Sequence, residues 1–449
     1  MLVIFVWLLM WAARAMTAIA AGRAKSLDFV YLVFFSFCGL PLGLDTVGIS
    51  PRFDFEWGFR VSQFDIATNW IYLLYLAVIP LLMRVPAYFF HNAPVYANSS
   101  HKVPMSAALR LTAWLVAATM LLLVLTAPRP LTYVSYGAAL GLREGATLAR
   151  HHVISAFALM TIVTGMLIIH DQATTAPARL ISWAFVLLGV WVHGKRTALV
   201  MAVLIWLHLA WLHGRLRGAK FWLAGLVVPL VISLYSQAYQ HYVRNVGPGG
   251  ATIELRRDAA YTAYRVDYAR DTVIRQAIFA ELYPARLTIL PERGHSFLFS
   301  ALFFVPRSVW PEKPQPYAVY ATAAMLHSKN QTDIGWGITT SILDESIANL
   351  GWLGLLFGPM FLGLVCAVGD RKYNPLRRLL TVATGSLFVV LHMAAFLPIV
   401  LAWVLTIVAS SRPPVARATD GSVAWAGMPA NRRKRLLVGG ASHDFHLQR

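Results

Sequence analysis

Apolar residues occur along this chain in runs of membrane-spanning length, separated by short polar stretches. A helix needs about 20 apolar residues to cross roughly 30 Å of hydrocarbon, and the sequence contains about eleven runs close to that length. The predicted spans lie near residues 1–20, 27–45, 68–83, 106–127, 151–170, 179–194, 197–213, 220–238, 347–369, 377–391 and 394–410. Residues 131–142 are apolar but too short to cross, so an interfacial and a re-entrant placement both stay open. The pattern predicts an all-α, polytopic integral membrane protein.

The polar positions divide this predicted bundle into four regions. Residues 1–238 hold about eight spans, and 239–346 form the one long polar segment. Residues 347–411 hold about three further spans, and 412–449 form a basic tail. We therefore expect a bundle interrupted by a single large, partly helical loop.

Composition agrees with this class and excludes others. Hydrophobic residues make up 58% of the chain and charged residues only 13%, whereas about a quarter of the residues of a soluble domain are charged. The formal charge of +19 comes from short basic clusters between apolar segments, a distribution that does not favour nucleic acid as a partner. Cys38 and Cys366 both lie in apolar runs and the histidines form no HExxH pattern, so we expect neither a metal nor another cofactor.

Basic residues in the short loops predict an orientation. With the carboxyl-terminal tail in the cytoplasm, nearly every short basic loop falls on the cytoplasmic side, as the positive-inside rule requires. The 239–346 loop and the tight corner Gly194–Thr197 then lie on the outer face. Two explanations stay open for Lys195 and Arg196 in this corner: they snorkel to the headgroups as helix caps, or they bind a lipid phosphate, since ionisable groups at membrane depth tend to mark a substrate path.

The long polar segment combines many arginines with tyrosines and acids. Its periodicity predicts a helix over Glu254–Glu281. Most arginines of this helix alternate with acids, which indicates a solvated face held by ion pairs. Arg265 is treated as an exception, because the tyrosines that flank it could stack a sugar while its guanidinium binds a phosphate through two hydrogen bonds.

Three motifs follow one another at the end of this segment. They are Gly294-His295-Ser296, then Pro306-Arg307-Ser308-Val309-Trp310-Pro311-Glu312-Lys313-Pro314, then Glu345 followed by Asn349-Leu350-Gly351-Trp352-Leu353-Gly354. In order, spacing and topology, this region resembles the Wzy-type O-antigen and exopolysaccharide repeat-unit polymerases. The resemblance implies a bacterial inner membrane protein with one large periplasmic loop and a basic corner two spans before it, where Gly194–Thr197 stands here.

The resemblance also implies a reaction: a growing glycan leaves undecaprenyl diphosphate and joins a lipid-linked repeat unit at the periplasmic face. Arginine suits a departing diphosphate, because its guanidinium stays charged and binds phosphate oxygens in pairs. The expected diphosphate ligands are Arg196 and Arg307, followed by Lys195, Arg265 and Arg293. An acceptor hydroxyl needs a base, for which Glu345, His295 and Asp333 are the candidates. The expected partners are the lipid-linked oligosaccharides and the bilayer, with a chain-length regulator and a flippase as further ones.

Three other functions stay open at this point. An O-antigen ligase would use the same arginines with a different acceptor. A C-type glycosyltransferase that uses a polyprenyl-phosphate sugar would depend on an acid in the first outer loop, where Asp45, Asp54 and Glu56 occur. A transporter or flippase would show paired charges or broken helices in the middle of the membrane, and the predicted spans carry few central charges.

Overall fold

The computed structural model describes most of the chain. The described residues are 1–53, 56–90, 107–135, 145–171, 174–216, 218–239, 265, 269–328, 337–371 and 374–411. They are predominantly helical, and no strand occurs among them. Met1–Val404 form one compact unit.

The first half of the chain supplies eleven helices within the described residues. They are α1 Leu2–Ala20, α2 Ser26–Phe34, α3 Leu40–Thr46, α4 Trp57–Phe64, α5 Ile66–Leu82, α6 Val85–Phe89, α7 Ala107–Leu125, α8 Gly145–His170, α9 Ala176–His193, α10 Arg196–Leu212 and α11 Ala219–Tyr239. A π-helical turn, Phe35–Gly39, joins α2 to α3. The short apolar run 131–142 is described only in part. It begins in a 3-10 turn, Pro130–Tyr133, and its residues 136–142 lie outside the described part.

The second half supplies seven more described helices. They are α12 Asp271–Leu282, α13 His295–Ala301, α14 Tyr317–Leu326, α15 Ile342–Leu350, α16 Gly354–Asp370, α17 Pro375–Val390 and α18 Leu397–Ser411. Two 3-10 turns connect neighbours in this set, Gly351–Leu353 between α15 and α16 and Met393–Phe396 before α18.

Seven helical segments in the described part are long and apolar enough to cross a membrane. They are Leu2–Ala20, Ser26–Thr46, Ile66–Phe89, Ala107–Leu125, Arg150–His170, Ala176–His193 and Ile342–Asp370. Shorter apolar helices occur at Ala198–Leu212 and Met393–Val408, and α11 and α17 cover the remaining predicted spans. The prediction of an all-α, polytopic membrane protein is confirmed, and the count of eleven crossings stays a prediction.

The chain reverses direction inside the segment Ile342–Asp370. Gly351 has a φ of 61°, a left-handed conformation that glycine adopts without steric cost. Added Cβ atoms at Gly354 and Gly358 would lie 2.1 Å from the Ser346 carbonyl oxygen and 2.6 Å from its hydroxyl. Helix α15 therefore packs as a short hairpin arm against the start of α16, and the long helix that covers most of the predicted span 347–369 begins at Gly354.

Residues 254–264 and 266–268 of the predicted solvated helix Glu254–Glu281 lie outside the described part. Over the described residues the prediction is wrong in two respects, its start and its exposure. Ala269 and Arg270 are not helical, so α12 begins at Asp271. The backbone N–H of Arg270 donates to the carbonyl of Phe37 at 2.8 Å, which ties this start to the bundle. Every residue of α12 from Asp271 to Phe279 is buried, because the helix packs between α4, α5 and α15 and leaves no face to water.

A buried polar layer, formed by Ser26, Asp370 and Arg378, joins three helix ends. Asp370, at the end of α16, accepts hydrogen bonds from the backbone N–H and the hydroxyl of Ser26 at 2.9 and 2.6 Å. Arg378 in α17 lies 3.4 Å from Asp370 and donates to the carbonyl of Ala24 at 2.6 Å. These contacts bring together the starts of α2 and α17 and the end of α16, which the sequence assigns to one side of the membrane.

Candidate active site

Glu345 is the centre of a buried polar cluster formed by α13 and α15. The hydroxyl of Ser296 donates to Oε1 of Glu345 at 2.8 Å. The side-chain amide of Asn349 donates to the Ser296 hydroxyl and to the Glu345 carbonyl, both at 2.7 Å. Glu345 is 1% exposed, and its Oε2 makes no hydrogen bond. An unsatisfied buried carboxylate oxygen is costly in a purely structural role, so this atom is a candidate for contact with substrate.

Local sequence explains why Glu345 lies there. Ser341 caps α15, and Asp344 completes a capping box by accepting from the Ser341 backbone N–H at 2.8 Å. The carboxylate of Asp344 is therefore occupied at the start of the helix. A capping box and an acid in the first turn both stabilise helix amino termini. Glu345, the next residue, lies about 100° further round the helix and faces Ser296 of α13 instead.

His295 borders this cluster and has one free ring nitrogen. Its Nε2 lies 3.2 Å from Glu292, while its buried Nδ1 has no hydrogen-bond partner. Gly294 precedes it with a φ of 87° and starts α13, so the Gly-His-Ser motif places His295 and Ser296 in its first turn. Asp333, the third predicted base, lies outside the described residues.

The link between α17 and α18 approaches Glu345 from another direction. The backbone N–H of Met393 approaches the Glu345 carboxylate. The preceding residue, His392, is partly buried, and its Nδ1 has no hydrogen-bond partner. This link lies at the end of α17 opposite to the Asp370–Arg378 layer, on the side where the sequence predicts the outer face.

The basic corner between α9 and α10 lies near the same link. Gly194 ends α9 in the left-handed conformation and Lys195 caps α10. The Lys195 amino group lies within electrostatic range of His392, His193 and His151. Its side chain is exposed. Arg196 is the first residue of α10, and its side chain lies outside the described part of the structure.

Arg307 forms hydrogen bonds within its own motif, Pro306–Pro314. Its guanidinium donates to the carbonyl oxygens of Lys313 and Pro314 at 2.6 and 2.9 Å. Lys313 continues the arrangement, because its ammonium donates to the carbonyls of Phe303 and Val305 at 2.7 and 2.9 Å. Burial and the nearby Arg307 lower the pKa of Lys313. The motif Pro306–Pro314 is thus a loop closed on itself by two cations.

Arg293 lies over the turn of the α15–α16 hairpin. Its Nη2 bonds Glu281 at 2.8 Å, and its side chain is 63% exposed. An added Cβ at Gly351 would lie 2.0 Å from its Nη1, so the arginine covers the glycine of the turn. Burial raises the pKa of the Glu281 carboxyl, and the charge of Arg293 opposes that shift.

Arg265 occupies a buried ion-pair cluster, here defined as Asp45, Asp271, Arg265 and Arg275. Arg265 bonds Asp45 at 2.7 Å and Asp271 at 3.3 Å. Arg275 bonds both acids at 3.0 Å, and its guanidinium lies 4.4 Å from the Tyr72 ring. All four side chains are at most 2% exposed. Two arginines and two aspartates make this cluster neutral, which is how buried charges are usually accommodated.

The structure brings some of the predicted site residues together and separates others. His295 lies next to Ser296, which bonds Glu345. Lys195 lies within electrostatic range of His392, and the backbone N–H of the following residue, Met393, approaches the Glu345 carboxylate. Arg265, Arg293 and Arg307 each have protein partners elsewhere. Sequence reasoning did not single out Ser296 and Asn349 within their motifs, and it missed His392. A histidine in the short link between two predicted spans was the signal for it.

Comparison of the chain with protein-family models, with curated proteins and with solved structures found no match. Within the described ranges, no three His, Cys, Asp or Glu side chains are grouped to hold a metal ion. The fold and composition define an all-helical membrane protein with several long apolar helices.

Proposed function

We propose that this protein is a membrane glycosyltransferase that polymerises lipid-linked oligosaccharide repeat units. One observation carries the proposal: a buried acid without a cation, Glu345, lies beside a link whose His392 is within electrostatic range of Lys195 in the basic corner. The residues come from four distant parts of the chain, α9–α10, α13, α15 and the α17–α18 link. A general base next to a cationic anion site is what transfer from a lipid diphosphate to a hydroxyl requires.

In the proposed reaction, an acceptor hydroxyl oxygen attacks the anomeric carbon of the growing glycan. The new glycosidic bond forms as the bond between that carbon and the diphosphate oxygen breaks, and the undecaprenyl diphosphate leaves with the bonding electron pair. Glu345 takes the hydroxyl proton through its unpartnered Oε2, while Ser296 holds Oε1 in place. Lys195 offsets the charge that develops on the diphosphate, and Arg196 follows it in the chain. Such electrostatic stabilisation is often the largest contribution to a rate enhancement.

The placement of the helix ends supports a site on one face of the membrane. Glu345, the corner at Lys195 and the link at His392 all occur where the sequence predicts the outer face. The Ser26–Asp370–Arg378 layer occurs at the other ends of α2, α16 and α17. We propose that the site faces the periplasm of a bacterial inner membrane, where lipid-linked repeat units, a flippase and a chain-length regulator are the expected partners.

The first outer loop gives less support to a C-type transferase. Asp45 is one of its three acids, and both of its carboxylate oxygens accept hydrogen bonds from arginine, Oδ1 from Arg265 and Oδ2 from Arg275. A base must be free to accept a proton from substrate, so Asp45 is unsuited to that role. Asp54 lies outside the described residues.

Deleting the gene and examining cell-surface glycan by electrophoresis tests the proposal. We expect the deletion strain to make single-repeat products and the wild-type gene, supplied in trans, to restore a ladder of polymer. A strain that carries the Glu345→Gln variant should resemble the deletion at normal protein level. Full-length polymer that accumulates on its lipid carrier in the deletion strain would identify a ligase instead and overturn the proposal.

A further inference from the structure

A small cavity opens between α1, α2 and the end of α5, on the side of the bundle opposite to Glu345. Its lining includes Trp11, Leu27, Asp28, Tyr31, Met83 and Arg84. It lies near the Asp370 layer, since α2 begins at Ser26, which bonds Asp370. Nothing in the proposed glycosyl transfer uses these residues.

Two guanidinium groups lie against the indole ring of Trp11: that of Arg84, which lines this cavity, and that of Arg14, which lies beside it. The guanidinium carbon of Arg84 lies 3.8 Å from the centre of the Trp11 ring, and that of Arg14 lies 5.3 Å from it. Cations stack favourably on tryptophan, and Arg14 and Arg84 are also close enough to repel each other. Stacking leaves the N–H edge of a guanidinium available to an acceptor.

The donors around the cavity exceed the acceptors. Within the described residues, neither arginine side chain makes a hydrogen bond or an ion pair, and the buried Nε1–H of Trp11 has no partner. The one acid is Asp28, whose Oδ2 already accepts from the Lys25 backbone N–H at 2.7 Å. Residues 91–106, which follow α6, contain no acid in the sequence. Unpaired donors and two cations on one ring call for an anion with several oxygens.

We propose that this cavity binds the phosphate of a membrane phospholipid and that Asp28 selects a headgroup with a primary amine. Arg84, Arg14 and the indole N–H of Trp11 supply the donors for the phosphate. Asp28 supplies the negative charge for the amine. The outer side of α1 carries exposed apolar residues, Val3, Val6 and Met10 among them, and these offer a surface for acyl chains.

Lipid titration of the purified full-length chain in detergent tests this proposal, with native mass spectrometry or a thermal shift as the readout. We expect phosphatidylethanolamine to bind more tightly than phosphatidylglycerol or phosphatidylcholine, and inorganic phosphate at equal concentration to have no effect. Stabilisation by inorganic phosphate equal to that by the lipid would show a site for a soluble anion and overturn the lipid assignment. Tighter binding of phosphatidylglycerol would overturn the role of Asp28.

Four variants make the test specific. Arg84→Gln and the more exposed Arg14→Gln should each weaken phosphatidylethanolamine binding about tenfold, the effect of losing one hydrogen bond to a charged group. Trp11→Phe keeps the ring, removes the N–H and should weaken binding by a smaller factor. Asp28→Asn retains the acceptor for Lys25 and should make phosphatidylethanolamine and phosphatidylglycerol bind equally.

Trp7→Phe is the matched control, since the Trp7 N–H already donates to the carbonyl of Ala77 at 3.0 Å. It should bind lipid as the wild type does. Wild-type lipid affinity in both arginine variants would overturn the proposal. The readout is lipid affinity rather than polymer formation, so its outcome is independent of the proposed glycosyl transfer.

Discussion

Two buried polar regions of this protein differ in how they neutralise charge. In the buried ion-pair cluster, Asp45 and Asp271 each contact both Arg265 and Arg275 within 3.3 Å. In the Glu345 cluster, the carboxylate accepts a hydrogen bond from the neutral hydroxyl of Ser296, and Asn349 donates to the Glu345 backbone carbonyl. The carboxylate has no ion pair with any described residue. Both regions are almost fully inaccessible to water.

This difference is the one expected between a structural cluster and the reaction site that we propose. Buried charges that are paired with each other fix the positions of the elements that carry them, here α3, α12 and the chain at Arg265. A buried acid that lacks a cation contributes little to stability. Groups with such environments concentrate at functional sites. We therefore propose a structural role for the buried ion-pair cluster and a catalytic role for the Glu345 cluster.

The Asp271→Asn variant is the strongest test of a structural role for the buried ion-pair cluster. Removing one member of a buried ion-pair network leaves its arginine partners uncompensated, which costs about 3–5 kcal/mol. We expect the variant to lose most of its thermal stability in detergent and to accumulate poorly. Glu281→Gln is the control, because its partner Arg293 is 63% exposed and such pairs contribute about 0–1 kcal/mol. Wild-type stability in Asp271→Asn would remove the distinction between the two regions.

Replacing Lys195 by glutamine tests the proposed catalytic role of the site that includes Glu345 and Lys195. If Lys195 stabilises the departing diphosphate, its loss should lower the rate of polymer formation by about 10²–10³-fold, the usual effect of removing one electrostatic stabiliser. Protein level should stay normal, because Lys195 is exposed. Lys220→Gln, an exposed lysine at the start of α11, is the matched control. Equal polymer length in both variants would place the diphosphate elsewhere.

Arg307 tests whether a predicted phosphate ligand belongs to the scaffold. Its guanidinium forms two short hydrogen bonds to carbonyls of its own loop, and lysine cannot reproduce this fork. Losing one such bond to a charged group costs about 1.5–3 kcal/mol. We expect Arg307→Lys to make residues 306–314 about tenfold more sensitive to limited proteolysis. An intact loop together with lost polymer would instead favour direct contact with the diphosphate.

The smallest expected effect concerns Asp65, which caps α5. Burial alone would raise the pKa of this carboxyl, but hydrogen bonds from Thr68 and Tyr283 outweigh it and lower the pKa. The stability that this charge contributes is present above about pH 4, the unfolded value, and is lost as the pH falls through the folded pKa. Asp65→Asn keeps a capping oxygen and should cost only a few tenths of a kcal/mol at pH 7. Thermal melts at pH 7 and pH 3 should show a smaller loss in this variant than in the wild type.

Much of the fold follows from the apolar pattern, because spans must be long, apolar and helical in a membrane. The helices α1, α5 and α7 lie close to their predicted bounds for this reason. The burial of α12 did not follow, since alternating arginines and acids look alike on a solvated face and in a neutral buried cluster. Its pairing with Asp45, 226 positions earlier than Asp271, depends on tertiary contacts alone.

The site was predictable only in part. Glu345 and His295 stand in motifs and were two of the three candidates for the base, while the hairpin turn at Gly351 that positions α15 left no periodic signal. Arg293 and Arg307 were expected at phosphate because arginine suits it, but the sequence could not show that Glu281 and backbone carbonyls already occupy their donors. Charge alone predicts what a side chain can bind, and packing decides what it does bind.

The rate of glycan polymerisation by purified Glu345→Gln tests the central claim most directly. Glutamine keeps the size and the contact with Ser296 but cannot accept a proton, and general-base catalysis contributes about 10²–10⁴ in rate. We predict a loss of this size per folded molecule, with Asp344→Asn as the control that changes stability but retains turnover, because Asp344 caps α15. Turnover by Glu345→Gln within a few fold of the wild type would contradict the assignment of Glu345 as the base.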